Sequence, residues 1–431
     1  MIKEQDAMMA RLIESVRACP ESPQAHYELG RVILQKGSGR DPLSLYNAAL
    51  EAREALRLKP DYVEALTMLG SVLIGQNLFD EAVERLKYAM DVNPEFAEAH
   101  YMLGRAYLGL GLSDEAIARF RECTLLGMNG STIYAGIGMA LSRKQKFSEA
   151  VTELRRALSI NPSDVEARHE LGMALRRSGL TADAIAELRK VVEKSPGDIA
   201  ARMHLAEMLN GEGKRDEAIG EYGRILDADP GNLAAINGRG NALQMGGRLD
   251  DAIREYKKAL GIDQRDYRAR YNLAKAYVDK GMYERAVHEF RQALMLNPGD
   301  PAIHGNFGIL LLMSGDTYGA SLEFREAIRL DPDNCMAHVN MAVALLQMGK
   351  DAGAKHEVEV AVRLDPVQPE AYYYLGLMAD RGDDIGLAID AYEKFMKYAG
   401  SGDRRLRAIR ARLAEMRIVR LSSGNGIRNV A

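Results

Sequence analysis

Small and apolar residues return along this 431-residue chain with a period of 34. Alanine stands at Ala48, Ala82, Ala116, Ala150, Ala184, Ala218, Ala252, Ala286, Ala320, Ala354 and Ala388 with no slip of register. A second series in the same phase admits only small residues: Gly30, displaced by one loop insertion, then Gly70, Gly104, Gly138, Gly172, Ala206, Gly240, Ala274, Gly308, Ala342 and Gly376. Pro60, Pro94, Pro162, Pro196, Pro230, Pro298, Pro332 and Pro366 punctuate the units, because proline cannot continue a helical hydrogen-bond ladder. In nine of the eleven units, Gly37, Gly111, Gly179, Gly213, Gly247, Gly281, Gly315 or Gly349, with Asn77 in the same role, supplies between the two helices a left-handed residue that ends a helix cheaply. Each unit therefore reads as two antiparallel helices whose small residues admit close backbone approach, while Leu69, Leu73, Leu86 and their equivalents fill the space between. Repeats 1 to 11 begin at Pro23, Val63, Ala97, Ser131, Val165, Ile199, Leu233, Tyr267, Pro301, Cys335 and Pro369.

The segment Tyr271-Asn-Leu-Ala-Lys-Ala-Tyr277, followed by Ala286, Phe290, Ala293 and Pro298, resembles the tetratricopeptide repeat pattern, and the resemblance extends over residues 23–402. It implies an all-α, right-handed superhelical solenoid of antiparallel helix pairs. Departures are the lack of tryptophan, the replacement of the terminal proline by Met128, Gln264 and Gly400, and an insertion around Gly37-Ser-Gly-Arg-Asp-Pro42. Regular curvature is least expected at those places. A solenoid also needs its end faces covered, and residues 1–22 and 403–421 read as capping helices. The second carries Leu406, Ile409, Leu413 and Met416 on one stripe, and residues 422–431 read as a flexible tail.

Length alone allows either several domains or one extended array, and the period chooses the array. Hydrophobic residues at 47% and charged residues at 27% fit a folded chain, and a net charge of -4 gives no global attraction to phosphate. Cys19, Cys123 and Cys335 form no CxxC pair or zinc spacing and point to a reducing compartment. The N-terminal segment lacks the apolar run of a secretory signal or anchor, and no later run is free of charge for long enough to span a bilayer. A cytoplasmic location is expected.

In the family that this chain resembles, the first helix of each repeat lines the inner wall. That likeness places Tyr27, Arg31, Tyr101, Arg105, His169, Arg177, His204, Asn237, Asn241, Tyr271, Asn272, Lys275, Asn306, Ile309, Asn340 and Val343 inside. Asn272, Asn306 and Asn340, one repeat apart and each two residues before the small packing position, form a candidate asparagine ladder. An amide offers donor and acceptor together, so it can pair with both backbone groups of an extended peptide. The arrangement resembles the inner ladder of the O-linked N-acetylglucosamine transferase repeat domain, in its binding half alone. The plainer alternative is an asparagine that is common at this position and solvated. Beside the ladder, Ile309, Leu312, Met313, Met336, Val339, Val343 and Leu346 concentrate apolar surface, which marks either a contact surface or burial against a neighbouring helix. Arg268, Asn241, Asn272 and Lys275 supply parts of a carboxylate clamp, but Ala302 and Asn306 stand where the next basic residues belong, so a chaperone-tail clamp is not expected.

Other chemistry finds little footing. His26, His100, His304 and His338 share one repeat position and read as packing residues. His169 and His204 can meet across repeats, but two histidines without a third ligand make a poor zinc site, and no metal is assigned. Gly238-Arg-Gly240 and Gly37-Ser-Gly39 follow no strand, and no nucleophile or zinc-protease motif occurs, so neither cofactor nor catalysis is expected. Arg404, Arg405, Arg407, Arg410, Arg412, Arg417 and Arg420 make the last helix basic. The resulting expectation is a non-catalytic scaffold that holds extended segments or helices of partner proteins in its groove, with residues 267–368 as the leading site. The alternative is an RNA or membrane-surface adaptor working through the arginine-rich end, and self-association stays open.

Overall fold

The computed structural model describes residues 2–37 and 41–425. Among them lie twenty-four α-helices and no strand. After a first helix, Ile2–Ala18, the first helices of the repeats begin at Pro23, Val63, Ala97, Ser131, Val165, Ile199, Leu233, Tyr267, Pro301, Cys335 and Pro369, and in every repeat but the sixth the second helix packs back on the first within a compact unit. Two such units are present, Met1–Glu212 and Gly213–Ala431, and the boundary falls inside repeat 6, between helices Ile199–Gly211 and Arg215–Ala228.

One contact recurs in most pairs, although in repeat 1 Gly30 lies instead against Met68 of the next repeat. The small residue of the first helix lies under a large side chain sixteen residues later on the second helix. In the first unit a methyl carbon added at Gly70, Gly104, Gly138 or Gly172 would sit 2.6, 2.7, 2.6 or 2.9 Å from Leu86, Phe120, Leu154 or Leu188. In the second unit the same clash, at 2.5–2.6 Å, joins Gly240 to Tyr256, Gly308 to Phe324 and Gly376 to Tyr392. These large side chains are almost fully buried. The exclusion of larger residues from the small series is thus steric, because close packing leaves no room for another carbon.

A polar contact repeats in register with it. The fourth residue of the first helix reaches back to the carbonyl six residues earlier. His26, His100, His304 and His338 donate through Nε2 to Pro20, Pro94, Pro298 and Pro332 at 2.7–3.1 Å. Arg168, Arg202, Arg270 and Tyr372 do the same with Pro162, Pro196, Gln264 and Pro366 at 2.6–3.0 Å. The other end of the side chain often meets a glutamate of the second helix, as in His304 Nδ1 to Glu323 at 2.7 Å, His338 Nδ1 to Glu357 at 2.6 Å and Arg270 to Glu289 at 3.0 Å. The four histidines are buried, as packing residues should be, and they also tie the incoming loop to both helices. The carbonyl rather than the proline ring makes this contact, so Gln264 can replace proline.

The turns between paired helices follow the expected chemistry with exceptions. Gly111, Gly179, Gly213, Gly247, Gly281, Gly315, Gly349 and Asn77 have positive φ. Gly37 does not: its φ is -82°, because the inserted residues lengthen that connection and remove the need for a two-residue reversal. Gln145 and Asp383 instead take the left-handed turn at φ 60° and 58°, and Gly127 at 84° stops the helix before Met128, where a proline was missing.

The first helix packs Met9, Leu12, Ile13 and Val16 against the core of repeats 1 and 2. The last, Arg405–Asn425, buries Leu406, Ile409, Leu413 and Met416 against repeat 11. Residues 422–425 of the expected tail continue this helix, and 426–431 lie outside the described residues. Substituting Gln145→Gly should raise stability by about 0.5–1 kcal/mol, and Gly179→Ala should lower it by about 1 kcal/mol, because only glycine occupies a left-handed turn without steric cost. Urea denaturation midpoints read by circular dichroism check both signs.

Candidate functional site

Consecutive first helices touch one another within each unit, so each unit carries its own layer of first helices. The register between them is visible in two bonds. Tyr271, fifth residue of its helix, accepts through Oη from Asn306 Nδ2, sixth residue of the next first helix, at 2.9 Å. His169 and His204 stand in the same relation, with Nε2 and Nδ1 3.2 Å apart and rings 5.4 Å apart and nearly parallel. Burial, and then the adjacent His169, lower the pKa of His204, which favours a neutral imidazole there.

The structure distributes the expected site residues unevenly. Asn272, Asn306 and Asn340 are each half-buried on successive first helices of the second unit. Asn306 spends its Nδ2 on Tyr271 and, at 2.8 Å, on the Ala302 carbonyl, leaving Oδ1 as its remaining polar group. Among the described residues Asn272 and Asn340 make no side-chain hydrogen bond. The ladder is therefore chemically unequal along its length. Tyr271 packs edge-on against Phe290, with Lys275 Nζ 5.2 Å from its ring centre, and burial followed by Asp300 raises its phenol pKa. Arg268 is exposed and stays near its neighbour, donating through Nε to Tyr267 Oη at 3.3 Å. Asn241 is half-buried on repeat 7.

The apolar group also divides. Ile309, Met313 and Met336 are exposed at 39%, 59% and 40%. Leu312, Val343 and Leu346 are half-buried, with Leu346 against Ala342, Ala354 and Val358. Val339 does not belong on the open wall. It is 1% exposed, packed with Ala361 of its own repeat and Ala371 of the next, because valine at the fifth position is short enough to stay in the interface where Tyr271 extends beyond it.

Two cavities of the first-helix layer lie elsewhere, in the first unit. One of about 390 Å³ is walled by Tyr101, Arg105, Thr132, Gly136 and Met139, with Phe120 beneath and Asp164 and Glu166 at its edge. The other, about 240 Å³, shares Met139 and is lined by Arg143, Glu170, Met173 and Arg177. Tyr101, Arg105 and Arg177 are expected inner-wall residues, but Thr132, Gly136, Met139 and Glu170 are new. The legible signal was Gly136, which occupies the repeat position of Asn272, Asn306 and Asn340.

At the basic end, arginines that read as an open face are partly engaged. Arg405 pairs with Asp403 at 2.6 Å and Glu370 at 3.1 Å, Arg412 with Asp380 at 2.7 Å, and Arg417 with Glu393 at 2.5 Å. Three of the four partners belong to repeat 11, so these charges fasten the last helix. No helix among the described residues is long and apolar enough to cross a membrane.

Two tetratricopeptide repeat family models match the chain, one over residues 175–239 and 243–305, the other over 67–123, 136–199 and 339–402. Together these matches cover more than half of the sequence, and the chain belongs to the tetratricopeptide repeat family. It is accordingly a helical-repeat scaffold of the kind that serves protein interaction. No curated protein matches the sequence significantly. Among solved structures, yeast Tom70 is similar at 19% identity over 97% of this chain and 93% of that one, with a TM-score of 0.53. The Cut9–Hcn1 hetero-tetramer of APC/C is similar at 14% identity over 96% and 94%, TM-score 0.48. A tetratricopeptide repeat protein from Parabacteroides merdae ATCC 43184 has 19% identity over 58% and 98%, TM-score 0.46. The Tom70 likeness extends the shared fold over nearly the whole chain.

Val339→Ala should cost about 1.5–2.5 kcal/mol, whereas Ile309→Ala should stay within about 0.5 kcal/mol, since only the first empties a packed site. Denaturant midpoints separate the two. Asp403 is held at about 2, below its ordinary 3.8, first by the Arg405 side chain and then by the Arg405 backbone N–H. A depressed carboxyl stabilises the fold above its ordinary pKa and loses that contribution as pH falls through the lowered one. The difference in thermal midpoint between the native chain and Asp403→Asn should thus be present above pH 4 and vanish toward pH 2 (~4 and ~2 being the two pKa values).

Proposed function

We propose that the chain is a non-catalytic adaptor that holds an extended segment or helix of a partner protein along the first helices of repeats 8 to 10, residues 267–368. The observation that carries this reading is the pair of half-buried amides, Asn272 and Asn340, without a protein hydrogen bond among the described residues. A half-buried polar group gains from a partner that water supplies imperfectly, and a peptide backbone offers both a carbonyl and an N–H. Asn306, between them, contributes an acceptor only, because its Nδ2 is committed. Exposed Ile309, Met313 and Met336 supply apolar contacts beside the amides, and methionine adapts its shape to different partners.

The groups are carried on helices rather than loops, so little ordering of the protein accompanies binding. Specificity then comes from the neighbours, including Arg268, Lys275 and the Tyr271 ring, which favour a segment with acidic or aromatic side chains at one end. The paired state of Arg405, Arg412 and Arg417 argues against the basic end as the main contact.

Affinity capture from native extract, comparing the intact chain with Asn272→Ala/Asn340→Ala and with Asn306→Ala, tests the reading. The double variant should reduce specific partners about tenfold by quantitative mass spectrometry, corresponding to two lost amide contacts of about 0.5–1.5 kcal/mol each. Asn306→Ala should have the smaller effect. Unchanged capture by a folded double variant would remove the amides from the site.

A further inference from the structure

We infer that the larger cavity of repeats 3 to 5 is an anchor site for an aromatic side chain of a partner segment that carries a lysine or arginine beside it. The inference rests on the family's role in protein interaction but not on the asparagine-bearing site of repeats 8 to 10, which lies in the other unit.

The opening follows from the register between first helices. The fifth residue of one helix faces the sixth of the next, as Tyr271 faces Asn306 and His169 faces His204. The same register sets Tyr101 opposite Gly136, where there is no side chain to answer it. Nor can there be one without rearrangement: a methyl carbon at Gly136 would lie 2.7 Å from the ring of Phe120, which packs beneath. The core itself therefore keeps this place open.

What remains is a cavity of about 390 Å³, within the size range of roughly 300–1,000 Å³ in which proteins hold compact ligands. Its aromatic side is the half-buried Tyr101 ring, backed by the fully buried Phe120, with ring centres 6.0 Å apart and planes tilted by 50°. Met139 closes the opposite side and separates it from the second cavity. The accessible part of the Tyr101 ring can meet an entering ring edge-on or offset, and aromatic side chains contribute most per residue when they fill such a pocket. Arg105, exposed on the wall with its guanidinium 6.0 Å from the Tyr101 ring centre, can lie flat over a ring that enters.

Charge selects the neighbour of that ring. Asp164 and Glu166 stand at the edge of the opening, at the start of the helix Val165–Arg177, and Glu170, one turn further along that helix, lines the second cavity. Asp164 is engaged as its N-cap, accepting from Ala167 N at 2.9 Å. Glu166 and Glu170 make no hydrogen bond or ion pair among the described residues, and they are four apart on one helix, so each opposes the charge of the other. Burial raises the pKa of Glu170, and Glu166 adds to the rise, while His169 and Arg143 offset part of it without an ion pair to either carboxylate. A cation placed between them offsets both effects. The helix dipole favours one carboxylate at this end, but it does not supply the discrete donor that two require.

Random peptides displayed on phage, selected on the full chain, provide the probe, and the winning peptide is then titrated by calorimetry. Selection should enrich an aromatic residue with lysine or arginine within about two positions. Thr132→Trp, a substitution at the exposed rim that fills the opening, should weaken binding by about tenfold or more. Glu166→Lys should weaken it about fivefold and regain the loss when the peptide's base is changed to glutamate. Circular dichroism melting confirms that both variants fold. Selected peptides without the aromatic–basic pair, or affinity for Thr132→Trp within about twofold of the native chain, would overturn the inference. Loss of binding in Asn272→Ala/Asn340→Ala with none in Thr132→Trp would overturn it too, while supporting the site in repeats 8 to 10. The reverse pattern would support it alone.

Discussion

Everything else in the structure depends on the fit of one small residue against one large one. Gly104 beneath Phe120, Gly240 beneath Tyr256 and Gly376 beneath Tyr392 set how closely two antiparallel helices approach, and that distance recurs from pair to pair. Where the small residue is alanine, the contact persists with its partners in one buried cluster, as with Ala274 and Phe290 or Ala342 and Val358. A larger residue in either series would push the helices apart, and the layer of first helices would lose the register on which any extended surface relies.

The second recurring element is the donor at the fourth position of most first helices, which closes the loop from the preceding repeat. It accepts several chemistries, histidine, arginine and tyrosine, because the requirement is only a donor that can span from the helix to a carbonyl six residues back. Burying such a group is costly unless it is paired, so the glutamates of the second helices complete the arrangement where the donor has a second end. Helix spacing is thereby settled inside each repeat and loop closure at its junction with the one before, which frees the outward positions of the first helices to vary. Tyr101, His169, Tyr271 and Val339 share one such position and do four different things there.

This division explains how much could be read from the sequence. The alanine, small-residue and proline series report contacts made within one unit, so the helix pairs and the stripe of Leu406, Ile409, Leu413 and Met416 were legible. Left-handed turns were legible where glycine or asparagine stood, Gly37 excepted, and not at Gln145 or Asp383, where packing of the two helices imposes the conformation on an ordinary side chain. The site was less so. The Tyr271–Asn306 bond and the burial of Val339 both depend on which residue of the next repeat stands opposite, and that offset emerges only when helices are stacked. The cavity beside Gly136 escaped for the same reason: a missing side chain has meaning only against the Tyr101 that faces it.

The polar contacts that span six and nineteen residues and the packing contacts that span sixteen have a further consequence for how the chain comes to be folded. They are short in sequence, and a protein dominated by local contacts has a low contact order and reaches its structure quickly. A ribosome extends a chain by about 5–20 residues each second, so a unit of 34 residues emerges in about 2–7 seconds, far longer than two helices need to form and dock. Each hairpin can close on its predecessor before the next is made. The order of synthesis then becomes the order of assembly, and only the most recently made repeat presents its apolar end to the cell at any moment.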